Sequence, residues 1–255
     1  MRHLFSSEGL YCLERLALLP SILIFDFDGT LAPIVPHFND ANVPVQTARY
    51  LTTLSQSWPV AVITGRSVDD AKTRLGFTPD YLFGNHGAER AGQPSRHLRE
   101  GLNACRKLLH HHLPTLAAHK VIVEDKGMSL ALHYRQCDNP AAICTWLHEL
   151  MGSVPGGVVL TDGHMVVNIL LIHAPDKGDA LLSLLQDCGV ANALVVGDDD
   201  NDEAAFEKAP AQAVTVRIGP LDMRTRARFR LSGQYQLDAL LAILLQKNNL
   251  RRFGG

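Results

Sequence analysis

The chain has 255 residues, 46% of them hydrophobic and 20% charged, and a formal net charge of −2. Those values describe a globular protein with a sizeable core, in one large domain or two modest ones, and exclude a disordered, fibrous or polybasic chain. The near-neutral balance provides no general attraction to nucleic acid or to an anionic membrane.

Helical spacing covers residues 7–19, at Leu10, Leu13, Leu16 and Ala17. It feeds the run Ile22-Leu23-Ile24-Phe25, which leads into Asp26-Phe27-Asp28-Gly29-Thr30-Leu31. An unbroken apolar run after a proline predicts a strand over 22–27, buried on both faces of a parallel sheet. Its carboxylates come at the C-terminal end, where open α/β sheets bind ligands. A spacing of two puts Asp26 and Asp28 on one side of the strand. Their repulsion pushes the two pKa values apart, and a divalent cation relieves it. The chemistry suggested is a carboxylate nucleophile, a second carboxyl for proton transfer and a metal to screen a phosphate. An Asp-rich turn after a strand is the plain structural alternative.

Pro33, Pro36 and Pro44 make 31–44 a loop. A helix follows from Val45 to about Ser57. Val60–Ile63 is a second short buried strand, ending in Thr64-Gly65-Arg66-Ser67. Residues 68–75 are helical, with Asp69 and Asp70 in the first turn, where the helix dipole favours acids. Tyr81-Leu82-Phe83 is a third strand, ending in Gly84-Asn85-His86-Gly87-Ala88-Glu89. This β-α-β-α-β rhythm, with polar residues at each strand end, predicts an α/β doubly wound sheet.

The character then shifts. Residues 96–118 read as helix. His110-His111-His112 lie on it at consecutive positions that face different ways, so they do not chelate one ion. Val121–Glu124 and Ser129–Tyr134 are strands around a Lys126-Gly127 turn. A helix runs from Pro140 to about Met151, and Val158–Leu160 pairs with 164–171 around Asp162-Gly163. Paired strands with short turns predict an antiparallel α+β insert over 91–172, leaving 1–90 and 173–255 as the core domain.

The α/β rhythm resumes with a helix over Lys177–Cys188. A buried strand over Ala193–Val196 ends in Gly197-Asp198-Asp199-Asp200-Asn201-Asp202-Glu203. A helix over 203–208, a strand over 213–218 and a helix over 237–247 complete the core. Arg224, Arg226, Arg228 and Arg230 alternate, but four charges do not make a nucleic-acid interface. Trp58 and Trp146 fit core or near-core positions.

Four strand and helix ends now carry one set of groups. Thr64 offers a hydroxyl and a backbone donor. Lys177 offers a cation at a helix start, and Asp198 and Asp202 offer hard oxygen ligands suited to magnesium. Phosphoryl transfer needs such parts: an in-line nucleophile, cations over the equatorial oxygens and a proton donor for the leaving oxygen. Each residue alone has an ordinary structural use. Together and in this order, Asp26-x-Asp28, Thr64, Lys177 and Gly197-Asp198-x-x-x-Asp202 resemble the four motifs of the haloacid dehalogenase (HAD) superfamily.

The resemblance implies a HAD-type Rossmann-like core and gives the residues roles. Asp26 attacks phosphorus and becomes an aspartyl-phosphate. Asp28 protonates the leaving oxygen and then activates water. Thr64 and Lys177 hold the transferring group. Mg2+ binds Asp26, the backbone carbonyl of Asp28, and Asp198, with Asp202 as a further metal partner. A cap inserted between the threonine and lysine motifs resembles the C2B class, placed to close over the active site. Thr64-Gly65-Arg66-Ser67, Gly84–Glu89 and Lys126-Gly127-Met128 with Tyr134-Arg135 resemble the trehalose-6-phosphate phosphatase family. In that family the residues matching Arg66, Asn85, His86, Glu124 and Lys126 bind substrate. His164 and Asn168 stand where the family carries a lysine and a glutamate, and both can hydrogen-bond sugar hydroxyls.

The implied activity is magnesium-dependent hydrolysis of trehalose 6-phosphate. Sucrose 6-phosphate, a glycosyl-phosphoglycerate or a catalytically silent sugar-phosphate sensor are the alternatives. The partner is a small sugar phosphate, with no nucleic acid and no membrane. Five scattered cysteines without C-x-x-C spacing point to free thiols in a reducing compartment and away from a zinc site. With no signal-peptide pattern and no apolar run of membrane-spanning length, the expected setting is a cytoplasmic monomer.

Overall fold

The computed structural model describes residues 1–92, 100–154, 157–163, 165–220 and 224–253, with side chains up to Asn248. They form two compact units, Met1–Ala91 with Pro175–Gly255, and Gly92–Ala174.

The first unit begins with β1 (Arg2–His3), α1 (Ser7–Leu18), β2 (Ser21–Phe25), α2 (Val45–Leu54), β3 (Val60–Ile63), α3 (Val68–Arg74), β4 (Tyr81–Gly84) and β5 (Glu89–Arg90). The second unit supplies α4 (Asn103–His111), α5 (Leu113–Ala118), β6 (Ile122–Asp125), β7 (Leu130–His133), α6 (Pro140–Gly152), β8 (Val158–Gly163) and β9 (Val166–Leu171). The chain then returns to the first unit with α7 (Lys177–Cys188), β10 (Asn192–Gly197), α8 (Glu203–Lys208), β11 (Val214–Ile218), β12 (Phe229–Leu231) and α9 (Leu237–Phe253).

The first unit is the doubly wound, mostly parallel α/β sheet that the apolar runs predict. Its eight strands are ordered β1-β12-β11-β10-β2-β3-β4-β5, and the β4–β5 pair is antiparallel. Alternation along each strand feeds two separate cores. Leu23, Phe25, Val60, Val62, Leu194 and Val196 pack on one side with residues of α1, α2 and α9. Ile22, Ile24, Ala61, Ile63, Ala193 and Val195 pack on the other with residues of α7 and α8. Every residue of β2 is buried, so no position along it tolerates a charge. From β2 the chain builds outward through β3 and β4, and on its return builds the other way from β10 through β11 and β12. The switch point therefore falls between β2 and β10, which is where such sheets open a crevice for ligands.

The second unit holds a four-stranded antiparallel sheet, ordered β6-β7-β9-β8. One face carries Leu130, Leu132, Val167 and Ile169, packed with Cys105, Leu109, Leu116, Ile143, Leu147 and Met151 from the helices. The register pairs Glu124 with Ala131, Ala131 with Asn168, and Asn168 with Thr161, so these four share the opposite face.

Several expectations need correction. The expected helix over 96–118 is two helices in its described part, with Pro114 in the first turn of the second; residues 96–99 lie outside the described residues. The strand carrying Asp26 ends at Phe25, so both acids stand beyond it. β1, β5 and β12 are additional strands of two or three residues. Arg228 and Arg230 flank the core residue Phe229 at a sheet strand, with the Arg228 guanidinium 5.4 Å from that ring.

Candidate active site

The backbone leaves β2 through a tight turn. Asp26 N–H still bonds Val196 on β10, at 2.9 Å, and the chain then folds so that Gly29 N–H reaches Ala32 and Ala32 N–H reaches Phe27, each at 2.8 Å. Gly29 has φ of 78°, a conformation side chains resist, and a Cβ there would collide with the carboxylate of Asp198. Glycine thus allows both the turn and the approach of Asp198.

Lys177 is the first residue of α7, and its side chain is 2% exposed. Its Nζ donates to Asp26 Oδ1 and to Asp202 Oδ1, both at 2.6 Å. Lysine has three donors, so one remains. The start of α7 is fixed by a capping box between Asp176 and Asp179, and Lys208 bonds both acids at 2.7–3.0 Å. Asp202 uses its other oxygen to accept from the backbone of Asp198 and Asp199, at 2.9 and 3.0 Å. Beneath this acidic loop lies Arg217 of β11, 1% exposed. Its guanidinium donates to the carbonyl of Asp199, to Glu203 at 3.2 Å and to Asp200 at 3.1 Å.

Asp26, Asp198 and Asp202 each bring a carboxylate oxygen within 4.8 Å of the others. Burial is the main reason the Asp26 carboxyl is pushed up to about 7, with Asp202 and Asp28 adding to it against the pull of Lys177. Burial, then Asp26, Asp202 and Asp199, raise Asp198 well above the ordinary carboxylate range. Burial opposes a charge on Lys177, but Asp202 and Asp26 outweigh it and hold the ammonium protonated. Oδ1 of Asp198 is buried with no hydrogen-bond partner among the described residues. A hard divalent cation fits this donor set: it takes oxygen ligands, it would occupy the unused Asp198 oxygen and it would offset the clustered charge.

Asp28 stands apart from that cluster. Both its oxygens are taken by Arg66, Nε at 2.8 Å and Nη2 at 2.6 Å. Arg66 is the residue for which the family resemblance implies substrate binding, yet here its guanidinium is 6% exposed. It also donates to Asp70 and to the Phe38 carbonyl, each at 2.7 Å, and lies over the Phe27 ring, 5.0 Å from its centroid. Asp70 in turn holds Arg74 at 2.7 Å. A buried guanidinium needs carboxylate partners, and Asp28 and Asp70 supply them.

Thr64 follows β3 and is fully buried, its hydroxyl accepting from Arg66 N–H at 3.1 Å. Asn85 and His86 follow β4, are buried, and have φ of 50° and 59°. Such backbone costs about 1 kcal/mol or more at a non-glycine residue. Glu89 holds the turn in shape, accepting from Asn85 Nδ2 at 2.6 Å and from Val68 N–H at 2.9 Å.

The remaining candidates belong to the second unit. Glu124 Oε2 lies 2.8 Å from His133 Nε2 and 3.8 Å from Lys126 Nζ. Asn168 shares the face of Glu124 and donates to the Thr161 carbonyl at 3.5 Å. His164 lies outside the described residues. Arg217, Asp70 and Glu89 were not singled out from the sequence. A lone arginine inside the apolar run Val214-Thr215-Val216-Arg217-Ile218 is a signal that could have found the first.

Comparison with known proteins follows this geometry. "Probable trehalose-phosphate phosphatase H" of Arabidopsis thaliana is 26% identical over 256 residues, covering 90% of this chain and 73% of that protein. The "Bifunctional trehalose-6-phosphate synthase/phosphatase" of Thermoproteus tenax is 30% identical over 233 residues, covering 86% of this chain but 31% of that protein. The solved C-terminal domain of the C. albicans trehalose-6-phosphate phosphatase superposes with a TM-score of 0.77, covering 93% of this chain and 97% of that one. At 19% identity that likeness is one of fold. Residues 24–232 match the family model described as trehalose-phosphatase, a span that runs from the strand before Asp26 to past the last strand of the sheet. The chain belongs to the trehalose-phosphatase family.

Proposed function

We propose that the chain is a magnesium-dependent phosphatase that hydrolyses trehalose 6-phosphate to trehalose and phosphate. The observation that carries this reading is Lys177, buried and bonded to both Asp26 and Asp202 beside the unused oxygen of Asp198. A passive sugar-phosphate sensor has no use for a nucleophile such as Asp26, held in this way by Lys177.

The nucleophile is Asp26. Its free carboxylate oxygen forms a bond to phosphorus as the bond from phosphorus to the sugar oxygen breaks, giving an aspartyl-phosphate. Lys177 holds Asp26 in place through one hydrogen and directs its remaining donor to a phosphoryl oxygen. Thr64, at the end of β3, offers its hydroxyl proton to another oxygen of the transferring group. Asp28 gives its proton to the leaving sugar oxygen, then takes one from the water that attacks phosphorus and releases Asp26. Arg66 fixes the orientation of Asp28, and one of its two bonds must yield when Asp28 carries a proton. Asp26, Asp198 and the carbonyl of Asp28, with Asp202 behind, would hold Mg2+, which would supply positive charge to the transferring group.

Residues 91–172 serve in this reading as a C2B-type cap on a HAD core of 1–90 and 173–255. Glu124, Lys126 and Asn168 read the sugar, with His164 and the left-handed turn at Asn85 and His86. Among the described residues no helix is long and apolar enough to cross a membrane. All five cysteines are free thiols, which supports a cytoplasmic setting, and we propose a monomer.

The test is phosphate release from trehalose 6-phosphate, sucrose 6-phosphate and glucosyl-phosphoglycerate, with Mg2+ and after chelation. Trehalose 6-phosphate should be turned over fastest, and only with the cation. Faster turnover of another member of the panel would reassign the sugar, and undiminished turnover in verified metal-free protein would remove magnesium.

A further inference from the structure

A second convergence of ligand atoms lies in the four-stranded unit, built from groups that the phosphatase chemistry leaves unused. Cys144 and His148 are four apart on α6 and share one face of that helix. The register of β8 turns Asp162 to the same side as Leu160 and Val158, the side that packs with Leu147 and Met151 of α6. Asp162 Oδ1 lies 2.8 Å from His148 Nε2 and 4.0 Å from Cys144 Sγ. One donor atom from each of the three falls within 4.8 Å of the others. Tyr134 is buried and near enough to Cys144 and Asp162 for both to act on its hydroxyl.

We propose that Cys144, His148 and Asp162 form a binding site for a borderline divalent transition metal of the zinc class, with a fourth position open to water. A sulfur, an imidazole nitrogen and one carboxylate oxygen suit such an ion and disfavour Mg2+, which takes oxygen ligands. Tetrahedral zinc places its nitrogen, oxygen and sulfur ligands about 3.3–3.6 Å from one another. Reaching that geometry opens the histidine–aspartate pair by about 0.5 Å and closes the cysteine–aspartate pair by about 0.4 Å, within the play of three side chains on the unit's surface. Binding transfers the thiol proton of Cys144 to solvent. An ion pair between His148 and Asp162 needs no thiol beside it; a metal uses all three groups. The cysteine spacing hid this site because two ligands come from one helical turn and the third comes from a strand brought up by the fold.

The experiment titrates the reduced, full-length protein with Co2+ in the presence of excess Mg2+. The expected result is a thiolate-to-cobalt charge-transfer band that saturates at one equivalent and is bleached by Zn2+. Cys144→Ser should lose the band. His148→Ala and the surface change Asp162→Asn should weaken the titration at least about 10–100-fold, the range that even an outer-shell partner is worth. Circular dichroism checks that each variant folds, and Asp162→Asn carries the test should Cys144→Ser not fold. Absence of the band at stoichiometric Co2+, its survival in Cys144→Ser, or an unweakened titration in folded Asp162→Asn would overturn the proposal. Phosphate release is not the readout, so this site and the oxygen cluster at Asp26 stand or fall separately.

Discussion

The two sheets place their polar residues by different rules. In the eight-stranded sheet both faces are covered by helices, so polar groups collect where strands stop: Asp26 after β2, Thr64 after β3, Asp198 after β10. There Lys177 ties Asp26 to Asp202 through buried ion pairs. In the four-stranded sheet the helices cover one face, and alternation sends Glu124, Ala131 and Asn168 to the other, within the strands. Strand ends suit chemistry, because several backbones converge there and fix a few groups closely. A sheet face suits recognition, because its side chains stand apart and can match the outline of a sugar.

Mutations at strand ends should therefore abolish turnover outright, and mutations on the face should change which substrate is preferred. The largest effect is expected for Asp26→Asn, which keeps the shape and removes the nucleophile: a fall in kcat on the order of 10⁴-fold. Full activity in the folded variant would end the proposed mechanism. Next comes Lys177→Met. It leaves two buried carboxylates without their cation and should cost about 3–5 kcal/mol of stability by urea denaturation. A loss below about 1 kcal/mol would put the lysine on a par with surface ion pairs.

The third effect is a pH dependence of the cation-free protein. The Asp26 carboxyl, ordinarily at 3.8, is raised to about 7 in the fold, and burial raises Asp198 in the same direction. The folded chain then binds more protons than the unfolded chain, so stability falls as pH rises from about 4 through about 7. The thermal midpoint should drop by several degrees across that window, and saturating Mg2+ should flatten the slope. A midpoint that rises with pH would mean that the carboxylates are ionised without help. The smallest effect belongs to the sheet face. Glu124→Ala with Lys126→Ala should lower kcat/KM for trehalose 6-phosphate by about tenfold, or ~1.4 kcal/mol, and leave hydrolysis of p-nitrophenyl phosphate nearly unchanged. An equal fall on both substrates would make the pair structural.

The same contrast decides what could be read from the amino-acid order. Doubly covered strands are continuous apolar runs, so β2, β3 and β10 stand out, and the acids that follow them are conspicuous. β1, β5 and β12 are two or three residues long and carry arginines, which leaves no periodicity to detect. The site residues Asp26, Lys177 and Asp202 meet across separations of 25 and 151 positions, and their motif order anticipated that they belong together. The grip of Arg66 on Asp28 was not legible, because nothing local to either residue says which acid a distant arginine will choose. Asp162 is hidden in the same way from Cys144 and His148.

Arg217 carries a further consequence. Its guanidinium ties the carbonyl of Asp199 and the side chains of Asp200 and Glu203 from below, while Asp202 caps the backbone of Asp198 and Asp199 from within. The acidic loop is thus shaped by the protein's own cation before any metal arrives. Metal binding there, as proposed, would involve dehydration and charge, with little of the loop left to order. In the proposed reading the ion would enter a loop already braced, and selectivity would rest on the size of the oxygen cradle.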